Sequence, residues 1–165
     1  MTPLLRKFRD LNLGYTQGLN SLRPPAKAAE LSILKDRFGR FLSDELLEFY
    51  ALADGIDLSD VRIGYFLHPI SKILDRERMG EPIRVSGLLD GEILVIGSDG
   101  GGGKFAVIPD GLVCHLRNGP VKHGVFDGTS VPVKVIADDF HSFLRRLLAD
   151  VHAFINDTAG WEYIS

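Results

Sequence analysis

The run Asp99-Gly100-Gly101-Gly102-Gly103-Lys104 is the segment of this chain whose residue types most invite chemistry, because glycine-rich loops ending in lysine can cradle phosphate. A nucleotide loop of that kind ends in Gly-Lys followed by Ser or Thr and opens a helix. Here Gly103-Lys104 is followed by Phe105, and Phe105-Ala106-Val107-Ile108-Pro109 has the β-branched and aromatic character of a strand. A dinucleotide fingerprint fails at the same place, since Phe105 stands where Gly or Ala would close it. The run is read as the turn of a hairpin between Ile93–Ile96 and Phe105–Ile108, its glycines supplying backbone conformations that other residues resist.

The other chemically able residues are five histidines and one cysteine. His68, His115, His123, His141 and His152 form no HExxH pattern and stand beside no paired CxxC, so no metal spacing emerges. His141 and His152 are eleven residues apart, about three helical turns, too far to share one ion. Cys114 and His115 are adjacent on an expected strand and must point to opposite faces, which prevents a direct nucleophile and base pair. Cys114 reads as a small core residue and excludes an internal disulfide. Neither Ser71 nor Ser98 has a nucleophile-elbow context. An unrecognised hydrolase would need an acid, base and nucleophile constellation that the spacing does not show. The chain is therefore expected to be non-enzymatic, with no cofactor and no metal.

These residues must be positioned by an α+β fold. Leu4, Leu5, Phe8 and Leu11 predict a short amphipathic helix ending near Gly14, and Gly18 to Pro25 reads as a connector. Leu31, Leu34 and Phe38 predict a second helix, broken at Gly39. Ser43 is a suitable N-cap for a third, with Leu46, Tyr50 and Ala53 as its stripe and Gly55 at its end. Extended segments are then expected at Ile63–Leu67, at the two arms of the glycine hairpin, at Leu112–Leu116 and Val121–Phe126, and at Val131–Ile136, with a brief helix from Ser71 to about Arg78. Asp138 and Asp139 should cap a last helix of about 17 residues carrying Phe140, Phe143, Leu144, Leu147, Leu148, Val151, Phe154 and Ile155. Trp161, Tyr163 and Ile164 are expected to fold back as a tail. The order implies N-terminal helices, a central antiparallel sheet of about five to six strands and a long C-terminal helix packed on it.

The 165 residues fit one domain, with an N-terminal extension and connector at 1–25, a main body at 26–156 and a tail at 157–165. Charged residues follow Leu4 and Leu5 too soon for a signal peptide or a membrane span, so a soluble cytoplasmic protein is expected. The net charge of −3 divides unevenly: residues 1–40 carry +5 and the remainder −8. An acidic body repels nucleic acid and can attract a basic partner.

Leu42-Ser43-Asp44-Glu45-Leu46 through Asp54-Gly55, then Gly64 to Leu74, Ile96 to Gly102, and Ile136-Ala137-Asp138-Asp139-Phe140-His141-Ser142-Phe143-Leu144 together resemble the SUKH superfamily over about residues 27–150. The early signature of that group has Leu-Pro and later Asn-Gly, where this chain has Leu42-Ser43 and Asp54-Gly55. The group includes a fungal cell-wall synthesis regulator and many bacterial immunity proteins that neutralise secreted toxins, often nucleases. The resemblance implies stoichiometric binding of a protein partner, most readily a toxin domain, with a regulatory or scaffold role as the alternative. It implies no direct contact with nucleic acid or membrane. Against a basic toxin, Asp54, Asp57, Asp60, Asp99 and Asp110 are the candidate contacts, although each also suits a turn.

Overall fold

The computed structural model describes residues 1–11, 20–87 and 89–165. Among the described residues, helices α1 (Thr2–Arg9), α2 (Ala28–Phe38), α3 (Asp44–Leu52), α4 (Ile70–Leu74) and α5 (Phe140–Ile155) accompany eleven short strands. Seven strands form one antiparallel sheet in the order β1 (Asn20–Leu22), β2 (Ile56–Leu58), β3 (Tyr65–Leu67), β6 (Leu94–Asp99), β7 (Lys104–Val107), β8 (Val113–Leu116) and β11 (Lys134–Ala137). A second sheet orders β5 (Gly91–Glu92), β4 (Arg84–Ser86), β10 (Val125–Asp127) and β9 (Val121–Lys122), with β4 and β10 parallel.

The fold class is α+β, as the order of elements predicts, but the sheet is larger than expected and a second sheet accompanies it. The extra strands β1, β2, β4 and β5 are only two or three residues long, too short to leave a periodic trace. β1 occupies part of the expected connector, pairing Ser21 with Asp57. Gly14, Gly18 and Leu19 lie outside the described residues; α1 itself stops at Arg9. The segment expected as one strand from Val121 to Phe126 is a hairpin whose two turn residues, His123 and Gly124, both have positive φ, at 51° and 76°. The last strand starts at Lys134 instead of Val131 and lies at the sheet edge beside β8, where Val135 is 40% exposed.

Two cores result. The larger lies between the seven-stranded sheet and the helices, and gathers Leu34, Phe49, Tyr65, Phe105, Phe143 and Leu147 with Leu4, Leu5 and Phe8 of α1. The N-termini of α3 and α5 are capped as the sequence predicts: Ser43 Oγ accepts from Leu46 N at 3.3 Å, and an Asp139 oxygen accepts from Ser142 N at 2.6 Å. The smaller core, Val85, Ile93, Val95, Ala106, Cys114, Leu116 and Phe126, lies between the two sheets. Cys114 and His115 do point to opposite faces: Cys114 enters this smaller core, while the His115 ring packs 5.3 Å from Phe105.

Candidate functional site

One row of side chains crosses the outer face of the large sheet. Strand register places Ser21, Asp57, Phe66, Ser98, Lys104 and Leu116 as successive neighbours, so all six share the face turned away from the helices. Exposure differs at the two ends of the row: Ser21 is exposed, Asp57, Phe66, Ser98 and Lys104 are half-buried, and Leu116 is buried in the smaller core beneath the second sheet. The second sheet therefore covers only one half of this face. The open half carries a half-buried aromatic ring beside a carboxylate, with a polar cluster at its border.

In that cluster His68, Ser98 and Lys72 meet. His68 Nε2 lies 2.9 Å from Ser98 Oγ and 2.9 Å from Lys72 Nζ. An ammonium has only donors, so Nε2 accepts and the ring proton sits on Nδ1. Burial and the Lys72 and Lys104 charges push His68 down to about 3, and burial also lowers Lys72, with the Lys104 charge acting the same way and Glu81 opposing it. Lys104 Nζ donates to Glu81 Oε1 at 2.9 Å, and the Glu81 side chain is 7% exposed. A serine nucleophile would have to pass its proton to the lone pair that Lys72 already holds, on a ring that is a weak base. The neighbouring cleft, about 130 Å³, is lined by Glu81, Lys104 and Arg117 but by neither Ser98 nor His68. The arrangement is suited to holding charges in fixed places on a surface more than to acyl transfer. Sequence reading missed it because His68 and Ser98 stand 30 residues apart and Glu81 and Lys104 stand 23 apart.

The five aspartates are not gathered into one patch. Asp54 Oδ1 accepts from Ile70 N at 2.8 Å and so fixes the start of α4. Asp57 lies in the row just described and its Oδ1 accepts from Ser59 N at 3.1 Å. Asp60 is half-buried in the β2–β3 turn. Asp99 is 7% exposed, and its Oδ1 accepts from Gly101 N and Gly103 N, each at 2.8 Å. Asp110 is exposed in the β7–β8 turn, at the opposite end of the strands from Asp60 and Asp99. The glycine run is thus a turn folded around Asp99, and a strand, not a helix, follows it. Among the described residues no group of three or more His, Cys, Asp or Glu is placed to hold a metal ion, and no helix is long and apolar enough to cross a membrane.

Comparison with protein families matches residues 25–146 to the SMI1/KNR4 family (SUKH-1). The chain belongs to that family. The match begins at the Pro25 end of the connector and runs to Arg146 in α5, spanning α2 to α4 and the strands from β2 to β11, with β1 outside it. No curated protein matches the chain. Membership accounts for the α+β architecture and directs attention to surfaces that bind proteins, without selecting between the immunity and regulatory branches of the SUKH group.

Proposed function

We propose that this SUKH-1 protein acts by binding a protein partner stoichiometrically, as an immunity protein that neutralises a toxin domain, and that it docks through the open half of the outer sheet face. The observation that carries this reading is the cross-strand pair Asp57 and Phe66. A half-buried aromatic ring next to a carboxylate supplies the apolar anchor and the directing charge of a binding hot spot for a basic protein. Asp60 extends the negative charge toward the β2–β3 turn, while Asp110 contributes at long range only. Asp54 and Asp99 support the backbone that presents the face. An acidic body favours encounter with a basic nuclease over contact with nucleic acid.

The test is recovery of the native 1:1 complex by affinity purification of the full chain, followed by titration of the recovered partner. A basic toxin domain whose affinity falls at least about thirtyfold in Asp57→Lys combined with Phe66→Ala supports the proposal. Affinity and salt dependence unchanged in that variant would place the interface elsewhere, and recovery of envelope-synthesis or signalling proteins would favour the regulatory role.

A further inference from the structure

Helices α1 and α5 enclose a groove of about 520 Å³ on the helical side of the molecule, away from the outer sheet face. Lys7 from α1 and His141, Arg145 and His152 from α5 line it, and among the described residues no acidic side chain does. Its floor is apolar, with Leu4 and Leu148 only 8% and 6% exposed. The spacing on α5 follows from helix geometry: His141 and Arg145 are one turn apart, and His152 lies about two turns further along the same side. The side chains of Lys7, Arg145 and His152 are exposed and take part in no ion pair or hydrogen bond with the described residues. The Met1 amine at the edge of the groove is paired with Glu48 at 3.6 Å, and His141 lies near the carboxylates of Glu45 and Asp139. Two unpaired cations, Lys7 and Arg145, beside two imidazoles along an apolar trough, on a chain whose remainder past residue 40 is net negative, form a locally complementary seat for an acidic surface.

We infer that this groove docks an acidic amphipathic segment of a protein, its carboxylates meeting Lys7, Arg145 and His152 and its apolar side chains resting on Leu4 and Leu148. Two observations select that occupant. The apolar stripe of α1, Leu4, Leu5 and Phe8, is already committed to the core, which leaves nothing to insert into a membrane. The body charge of −8 past residue 40 opposes a long polyanion such as nucleic acid, whereas a short peptide engages only the local field. This surface is separate from the Asp57 and Phe66 face, so the two can be tested apart.

The experiment uses the full-length protein and a labelled 16-residue helical peptide with Glu and Leu on one face, beside its Gln counterpart, a 16-nucleotide single strand and anionic phosphatidylserine vesicles. Saturable binding of the Glu peptide, weakened tenfold or more by Lys7→Glu with Arg145→Glu, is the expected result. Both substitutions lie at exposed positions, and an unchanged circular dichroism melt shows that the fold is intact. The inference is overturned if the Glu peptide does not bind, if charge reversal leaves its affinity unaltered, or if the nucleotide strand or the vesicles bind the groove more tightly than the peptide does. Loss of partner binding in the Asp57 and Phe66 variant with peptide binding intact would leave this groove standing on its own.

Discussion

Asp99 and His115 meet at 2.8 Å beneath the glycine turn, each with a side chain only 5% exposed. One Asp99 oxygen holds His115 Nε2 while the other takes the amides of Gly101 and Gly103, so a single carboxylate ties the turn to β8. The contact explains the composition of the run. A Cβ at Gly103 would stand 2.4 Å from Asp99 Oδ2 and 2.5 Å from His115 Nε2.

Removing that carboxylate should therefore cost stability without touching any exposed surface. Asp99→Ala leaves two backbone amides and a buried ring nitrogen without their acceptor, and a loss of about 3 kcal/mol is expected. Urea unfolding followed by fluorescence measures it. A loss below about 1 kcal/mol would mean that water serves these donors equally well.

The glycines of the turn should differ sharply from one another. A Cβ at Gly100 would fall 1.7 Å from the Ile63 carbonyl oxygen, whereas one at Gly101 would meet atoms no closer than 3.3 Å. Gly100→Ala forces the β2–β3 turn away and should cost more than about 2 kcal/mol, while Gly101→Ala should change stability by less than about 1 kcal/mol. Thermal melts of the two variants decide it, and equal shifts would refute the close approach.

Asp150 should prove the anchor of the C-terminal segment. It is fully buried on α5, and its oxygens accept from Tyr65 Oη at 3.1 Å, Trp161 Nε1 at 2.8 Å and Ile164 N at 2.9 Å. Arg62 stacks on Tyr163 at 4.6 Å and donates to the Ser165 carbonyl, and Arg146 donates to that of Glu162, so three side chains from two parts of the fold hold the same segment. Asp150→Ala strands several buried donors and should destabilise by about 3 kcal/mol, with faster proteolysis after Asn156. Trp161→Phe removes one hydrogen bond and should cost about 1 kcal/mol. Protease resistance unchanged in Asp150→Ala would show that the aromatic packing alone holds the segment.

Helix α5, the glycine hairpin and both side-chain caps were legible because each is local: a 3.6-residue apolar period, a cap three residues from its donor, a turn between two apolar arms. The row from Ser21 to Leu116 was not, since it is written in the register of six strands drawn from all over the chain. The aspartates illustrate the same divide. Sequence marks all five as turn residues able to face a partner, but burial separates Asp99, whose carboxylate is spent inside, from Asp110, which is exposed. The edge strand β11 starts three residues later than the alternation predicts, because Val131 and Val133 alternate like strand residues but pack against the smaller core ahead of the strand.

Cys114 should be chemically silent in the folded protein. It is 1% exposed, and burial raises its thiol to about 11, so little thiolate forms near neutral pH. A chromogenic disulfide reagent should react with it at least about a hundredfold faster in denaturant than in buffer, at pH 8. Comparable rates would mean that the smaller core opens readily.

His68 should give the protein a measurable acid sensitivity. It is 3% exposed, held near 3 by burial and by the charges of Lys72 and Lys104, against 6.5 when unfolded. Above about pH 6.5 the ring is neutral in both states and adds no slope. As the pH falls below that value the unfolded chain takes up a proton that the folded chain refuses, so stability drops by about 1.4 kcal/mol per pH unit until the folded ring titrates near 3. His115, also lowered by burial, contributes in the same direction, as do paired carboxylates at the acid end. The comparison that isolates His68 is His68→Gln: it should be less stable than the parent at pH 7.5, having lost the contacts to Ser98 and Lys72, and the gap should narrow between pH 6 and 4. Urea unfolding at a series of pH values reads it directly. A gap that holds constant across that range would mean that His68 takes up its proton in the folded state, with Lys72 moving aside to admit it.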